Sequence, residues 1–371
     1  MFLVLLCRRF GIVGVALACL VSVPISSAAG ADVKVVVSIK PVHGLVAGVM
    51  AGVGKPVLLV DGAASPHTYS LKPSSARALQ DADAIIWVGH ALESFLEKPL
   101  ANLGADSEVM ELLDLPDLRS LAFREGGPFQ AHDAHGHDEH GDSDHGREEH
   151  GHGEHEDDEH THEKHGHEKH GHEKHGHDKH ADNDRENDEH EHESRMHDSL
   201  LRDPHIWLDP SNAQTIVAAS AALLSRIDPS NASAYQANAA LMRSRLDALT
   251  TKIDAQLLPV KDRPFVVFHD SYQYFETRFG VRAVGSITVS PEVAPGAERV
   301  AVIQRRVREL GAVCVFSEPQ FTSRLIGIVR EGTNAKAGTL DPLGAALPSG
   351  PDQYFVLMET LAAAFHDCLT P

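Results

Sequence analysis

Short apolar runs alternate with helix-like segments in two separate parts of this chain. Several of these runs are rich in β-branched residues, which is typical of buried strands. The runs begin at Val35, Lys55, Ala84, Phe265, Val281, Ala312 and Ala335. Strands that alternate with helices at this spacing predict parallel βαβ units. The sequence therefore predicts an α/β fold with two lobes.

One helical stretch between the two parts is much longer than the others. It runs from about Ala232 to Leu258, and its apolar side is predicted to carry Tyr235, Leu241, Leu246, Leu249 and Ile253. At 1.5 Å per residue its length is roughly 40 Å, enough to bridge two domains. We therefore expect an N-terminal lobe over residues 32–231, a linking helix over 232–258 and a C-terminal lobe over 259–371.

The N-terminus predicts export from the cytoplasm. Two arginines precede an apolar run from Phe10 to about Val23, and small residues follow up to Ala31. This order is typical of a cleaved signal peptide, here residues 1–31, and predicts a periplasmic mature chain that starts near Asp32. The run is short for a membrane span. A lipid-attachment site at Cys19 is the less favoured alternative.

A histidine- and acid-rich insertion occupies about 131–198. It holds 20 of the 26 histidines, and its 24 acidic against 7 basic residues account for most of the chain's net charge of -20. Such a segment is too polar to offset the entropy of ordering, so we expect disorder. Its imidazoles predict weak zinc or copper binding, with a merely solubilising loop as the alternative. No basic face remains for nucleic acid.

Four further residues stand in turns that flank predicted strands or helices. They are His67, His205, His269 and Asp341. In parallel sheets ligands bind beyond the carboxyl ends of the strands, and imidazole suits zinc. A metal site in a cleft between two lobes would use all four residues. By contrast, His43 and His90 are predicted to be structural, and Glu93 and Glu97 to be solvated charges.

Four segments carry a resemblance to a known family. They are Ser65-Pro-His-Thr-Tyr-Ser-Leu-Lys-Pro-Ser74, His205-Ile-Trp-Leu-Asp-Pro210, Phe268-His-Asp-Ser-Tyr-Gln-Tyr-Phe275 and Gly338-Thr-Leu-Asp-Pro-Leu-Gly344. In this order they resemble the metal-site segments of solute-binding proteins that serve zinc and manganese ABC importers. The zinc-specific branch, the ZnuA type, is the most similar, and it also carries a histidine-rich insertion here.

The resemblance implies two α/β lobes joined by one long rigid helix, with metal bound in the cleft and passed to an inner-membrane permease. It implies His67, His205 and His269 as imidazole ligands. Similar manganese proteins usually have glutamate at the position of His269, so zinc is expected. Some zinc members use a glutamate where Pro66 stands, which leaves Asp341, or a water, as the fourth ligand.

Two cysteines, Cys314 and Cys368, remain after removal of the signal peptide. An even pair in an oxidising compartment predicts a disulfide. Two buried free thiols are the alternative.

Other functions stay open at this point. Three imidazoles with an open fourth position also occur in catalytic zinc sites. The chain lacks an H-E-x-x-H helix, a nucleophile elbow and a P-loop, so we expect a monomeric zinc receptor and not a secreted zinc hydrolase. A manganese or broad divalent-metal receptor, a periplasmic metal buffer and an adhesin are further alternatives.

Overall fold

The computed structural model describes residues 32–104, 106–124, 129, 201–288, 295–321 and 324–371. The predicted signal peptide at 1–31 and the insertion at 131–198 lie outside the described residues. Within these ranges, no helix combines the length and the apolar character needed to cross a bilayer.

The N-terminal lobe is built on a four-stranded parallel sheet with strand order β2-β1-β3-β4. Its strands are β1 (Val35–Ile39), β2 (Val57–Val60), β3 (Ala84–Trp87) and β4 (Glu108–Glu111). Its helices are α1 (Lys40–Val49), α2 (Pro73–Gln80), α3 (Glu97–Leu103) and α4 (Pro210–Ile227). Every residue of β1 and β3 is buried, as expected for a parallel sheet with both faces covered.

The C-terminal lobe repeats this plan with strand order β6-β5-β7-β8, again all parallel. Its strands are β5 (Phe265–His269), β6 (Ala283–Thr288), β7 (Cys314–Ser317) and β8 (Lys336–Thr339). Its helices are α6 (Gln273–Phe279), α7 (Ala297–Glu309), α8 (Arg324–Arg330) and α9 (Gln353–Leu369). The predicted two-lobed α/β fold is confirmed.

A long helix, α5 (Ala232–Leu257), links the lobes and packs on α4 of one and α9 of the other. Four of its five predicted apolar positions are buried, but Leu241 is 62% exposed, so that part of the prediction is wrong. One apolar cluster runs through both lobes and includes Val37 of β1, Phe265 of β5 and Tyr354 of α9. The two lobes therefore share a core.

The disulfide predicted from the cysteine count is present. Cys314 in β7 is bonded to Cys368 in α9, with their Cα atoms 5.9 Å apart. It ties the last helix to a central strand of the C-terminal sheet.

Helix α2 begins at Pro73, because proline fits the first helical position, where no donor is needed. The prediction that Glu93 is a solvated charge is wrong. Glu93 is fully buried and accepts hydrogen bonds from the backbone of Val88 at 3.3 Å and Gly89 at 3.0 Å. Burial raises its pKa to about 7.

The lobes also meet through polar contacts on α6. The hydroxyl of Tyr274 donates to the carbonyl of Asp203 at 2.9 Å and accepts from the backbone of Leu121 at 3.0 Å. Arg278 donates to Asp209 at 2.6 Å. Each bond joins α6 of the C-terminal lobe to the N-terminal lobe.

A second polar group lies beside these contacts. Arg124 forms ion pairs with Asp270 and Glu276, whose side chains are 7% and 5% exposed. Arg124 also lies in the short segment that precedes the histidine-rich insertion. Ala122 in this segment forms an antiparallel bridge with Arg202, which follows the insertion. Ala122 and Arg202, which stand on either side of the insertion in the sequence, are therefore side by side next to α6.

Candidate metal centre

His205 is held by a carboxylate two residues earlier in the chain. Oδ1 of Asp203 accepts a hydrogen bond from the backbone N of His205 at 3.0 Å and lies 2.8 Å from Nδ1 of its ring. Both side chains are buried, at 5% and 1% exposure. Asp209, at the end of the same motif, caps α4 by accepting from Ser211 at 2.9 Å. Asp203 therefore orients the ring of His205, and Asp209 caps the start of α4.

His269 is held in the same way from a neighbouring strand. It ends β5, and Glu318 follows β7, which is paired with β5. Nδ1 of His269 lies 2.7 Å from Oε1 of Glu318. Burial lowers the pKa of His269, but the carboxylates of Glu318, Asp270 and Asp203 together outweigh it and raise the pKa, with Glu318 contributing most.

These carboxylates determine where the histidine lone pairs point. An ionised carboxylate only accepts hydrogen bonds, so Nδ1 of each ring carries a proton and Nε2 keeps its lone pair when the ring is neutral. The two Nε2 atoms, of His205 and His269, are 3.4 Å apart. Two nitrogens bonded to one tetrahedral zinc lie about 3.3 Å apart. This spacing can be bridged by a proton or by a metal cation.

His67 approaches the pair from the N-terminal lobe, on the loop between β2 and α2. Its ring centroid lies 5.6 Å from that of His205 and 6.2 Å from that of His269. The ligand nitrogens of all three histidines lie within 4.8 Å of one another. Burial, together with the two neighbouring imidazoles, lowers the pKa of His67 well below 6.5. Its ring is therefore neutral and able to bind metal at neutral pH.

The cavity between the three rings has a volume of about 20 Å³. This is close to the space that one small ion or water needs. Much of its wall is apolar, with Leu92, Trp207, Phe321 and Leu343 among the lining residues. Apolar walls keep bulk water away and strengthen the interaction of a cation with its ligands.

The structure does not bring Asp341 into this group. Its Oδ1 accepts from the backbone N of Leu343 at 3.1 Å and of Gly344 at 2.9 Å, and its Oδ2 accepts from Ala345 at 2.6 Å. Asp341 thus organises the loop after β8. Gln320 also donates to it, at 3.2 Å.

Three polar residues around the site were not among the predicted site residues: Asp203, Glu318 and Gln320. Asp203 could have been found, because a carboxylate close before a ligand histidine often orients the ring. Glu318 and Gln320 follow β7, whose pairing with β5 only the folded sheet reveals.

The two histidines predicted to be structural lie away from the cavity. His43 is bonded through Nε2 to the carbonyl of Pro56 at 3.0 Å. His90 lies between two carboxylates, with Nδ1 3.1 Å from Glu97 and Nε2 3.9 Å from Glu111. Glu97 therefore has a specific partner, although the sequence predicts only a solvated charge there.

Comparison with known proteins identifies close relatives. The family model described as "Zinc-uptake complex component A periplasmic" matches residues 35–368. The high-affinity zinc uptake system protein ZnuA of Brucella suis is 49% identical over 345 residues, which cover 93% of this chain and 94% of that protein. The protein of the same name from Paracoccus denitrificans is 38% identical over 337 residues, which cover 91% of each chain.

Solved structures support the fold. The laminin-binding adhesin of Streptococcus agalactiae, in a mutant form, has a TM-score of 0.64 to this chain at 20% identity, covering 91% of this chain and 100% of the adhesin chain. At that identity the likeness concerns the arrangement of the two lobes and the linking helix.

Proposed function

Because this chain belongs to the ZnuA family of periplasmic zinc-uptake components, we propose that it captures Zn²⁺ with high affinity and delivers it to an ABC permease. Its relatives from Brucella suis and Paracoccus denitrificans are named as high-affinity zinc uptake proteins. In this proposal zinc is the cargo, and His67, His205 and His269 are the residues that hold it.

One observation carries the proposal. The Nε2 atoms of His205 and His269 lie 3.4 Å apart, each turned to the other by a carboxylate on the opposite side of its ring. Neutral imidazoles in this arrangement direct two lone pairs at one point, which is unfavourable until a cation occupies it. His67 supplies a third nitrogen within 4.8 Å.

The donor set favours zinc over manganese. Borderline metals such as zinc bind imidazole nitrogen well, whereas manganese prefers carboxylate, carbonyl and water oxygen. All three residues grouped around the cavity as donors offer nitrogen. A manganese receptor would be better served by a carboxylate at the position of His269.

The same arrangement supports a receptor and not an enzyme. We propose that the side chains around the cavity bind and release the ion without chemical change to any substrate. The three histidines grouped at the cavity can bind an ion, and the sequence carries no H-E-x-x-H helix that would supply a general base beside it.

Further parts of the proposal concern regions outside the described residues. The leader at 1–31 is cleaved during export to the periplasm, and the histidine-rich insertion at 131–198 binds additional zinc weakly. The mature chain acts as a monomer, without nucleic acid. Its lobes comprise residues 32–231 and 259–371, with the linking helix over 232–258.

Metal analysis and calorimetry test the assignment. Protein purified without a histidine tag should bind one tightly held Zn²⁺, and the triple variant His67→Ala/His205→Ala/His269→Ala should lose it. The fluorescence of Trp207, whose ring centroid is 5.4 Å from that of His205, offers an independent signal. Unchanged tight binding in the triple variant would refute the site, and hydrolase activity that depends on zinc would favour an enzyme.

A further inference from the structure

Three imidazoles would leave the fourth position of a tetrahedral zinc ion without a protein ligand. The candidate from the sequence, Asp341, accepts hydrogen bonds from three loop amides and is not among the residues that line the cavity. Two other lining residues carry a buried oxygen without a hydrogen-bond partner among the described residues: Oε2 of Glu318 and Oε1 of Gln320. Glu318 already holds His269 through its other oxygen, whereas Gln320, in the loop that follows β7, is the neutral one of the two.

The hydrogen bond between Gln320 and Asp341 determines the orientation of the Gln320 amide. Nε2 of Gln320 lies 3.2 Å from Oδ1 of Asp341. A carboxylate that already accepts from two backbone amides on this oxygen cannot donate, so the amide nitrogen of Gln320, and not its oxygen, must face it. The carbonyl oxygen Oε1 is therefore directed away from Asp341.

Oε1 of Gln320 is buried and meets no hydrogen-bond donor among the described residues. A buried amide oxygen without a donor is unfavourable, and native proteins usually satisfy it with a protein group or an ordered water. The cavity beside Gln320 is the one that His67, His205 and His269 line. A water bound to the metal would bring the missing donor to this oxygen.

We propose that Gln320, rather than Asp341, faces the fourth coordination position and that its Oε1 accepts a hydrogen bond from a water on the bound metal. This inference rests on the proposed zinc binding. Asp341 then acts on the site only through Gln320, because it orients the amide of that residue. A neutral oxygen holds the water without adding a negative charge to the site. The three nitrogens consequently dominate metal selectivity.

The first test compares Gln320→Met with the parent protein. Methionine keeps the approximate volume but has no amide oxygen, and loss of such an outer partner should weaken zinc binding about 10-fold. With Co²⁺ in place of zinc, the visible spectrum should change, because it reports on the ligands of the metal. Competition with a chromophoric chelator and Co²⁺ titration are the measurements.

The matched control is Gln304→Met. Gln304 is partly buried in α7, and its amide donates to the carbonyl of Ile328 at 3.2 Å, within the C-terminal lobe. Its substitution should leave zinc affinity within about twofold and the Co²⁺ spectrum unchanged. If Gln320→Met behaves like this control, the inference is wrong.

A second variant, Gln320→Glu, keeps the size of the side chain and remains informative if the methionine variant does not fold. An added carboxylate oxygen should raise the affinity for Mn²⁺ about 10-fold relative to that for Zn²⁺. An unchanged ratio would contradict a position facing the metal. If the parent protein itself fails to bind zinc, the proposed function is wrong, whereas zinc binding that no Gln320 variant alters overturns only this inference.

Discussion

The candidate metal centre has a fixed part and a less constrained part. His205 and His269 come from different lobes, yet each is buried and has Nδ1 within 2.8 Å of a buried carboxylate. His67 is partly exposed and lies on the loop that connects β2 to α2, between Pro66 and Pro73. The difference indicates that two imidazoles form a preset pair, and that His67 completes the set from the side of the N-terminal lobe.

Replacing a histidine should have the largest effect on zinc affinity. The loss should be greater for His269, in the fixed pair, than for His67. Structural zinc sites bind with about 10–16 kcal/mol shared among four ligands, so His269→Ala should lose at least about 3 kcal/mol, or roughly 100-fold in affinity. His67→Ala should lose less, because water can reach the position of a partly exposed ligand. Chelator competition gives both affinities. Equal losses would remove the distinction between the fixed pair and His67.

Neutralising the carboxylates behind the fixed pair should have the next largest effect. Asp203→Asn and Glu318→Gln should each weaken zinc binding about 10- to 100-fold, because each acid fixes a ring and strengthens its basicity. Glu108→Gln is the control, since Glu108 only pairs with Arg226 on the surface at 3.0 Å. Zinc affinities like that of the control would show that the rings are held by packing alone.

The pH dependence should sharpen the comparison within the fixed pair. The raised pKa of His269 means that zinc must displace a proton at pH values somewhat above 6.5, so affinity should fall as pH decreases through that range. Glu318→Gln removes the carboxylate that raises the pKa of His269 most, so the fall should move to lower pH. Calorimetry from pH 8 to pH 5.5 measures both curves. Superimposable pH profiles would argue against Glu318 as the cause.

The smallest effect on tight zinc binding is expected from removal of the histidine-rich insertion. Deletion of residues 131–198 should leave the affinity of the tight site within about twofold, because the deletion retains Asp203, Arg124 and all three histidines. The number of weakly bound zinc ions should decrease. Equilibrium dialysis counts them. Loss of tight binding would mean that the insertion contributes ligands to the centre.

Much of this site could be predicted from the sequence, because its histidines stand at the ends of recognisable strands and turns. The β-branched runs predicted the strands of both sheets. The carboxyl ends of the strands in a parallel sheet lie at the same edge. Glu318 and Gln320 were missed because their relation to His269 depends on the order in which β5 and β7 pair. That order is a property of the folded sheet.

The remaining differences have local physical causes. Asp341 as a ligand stays a prediction, and in the structure its oxygens accept hydrogen bonds from the backbone amides of its own loop. Glu93 resembles a surface charge, yet the turn after β3 offers two amide donors to it. Gly89 in this turn has φ +145°, which glycine adopts readily. Helix α3 and strand β4 were not predicted, because all seven residues of α3 and all four of β4 are partly or fully exposed, which leaves no apolar period to recognise.

The paired ends of the insertion have a practical consequence for protein engineering. Ala122 bridges Arg202, and the backbone N of Phe123 donates to the carbonyl of Leu201 at 3.3 Å. A short turn that retains Arg124, the partner of the buried Asp270 and Glu276, could therefore replace the rest of what lies between them with little disturbance to the framework. The same junction could accept a reporter domain, because an inserted domain that is attached at two adjacent points does not pull the flanking chain segments apart.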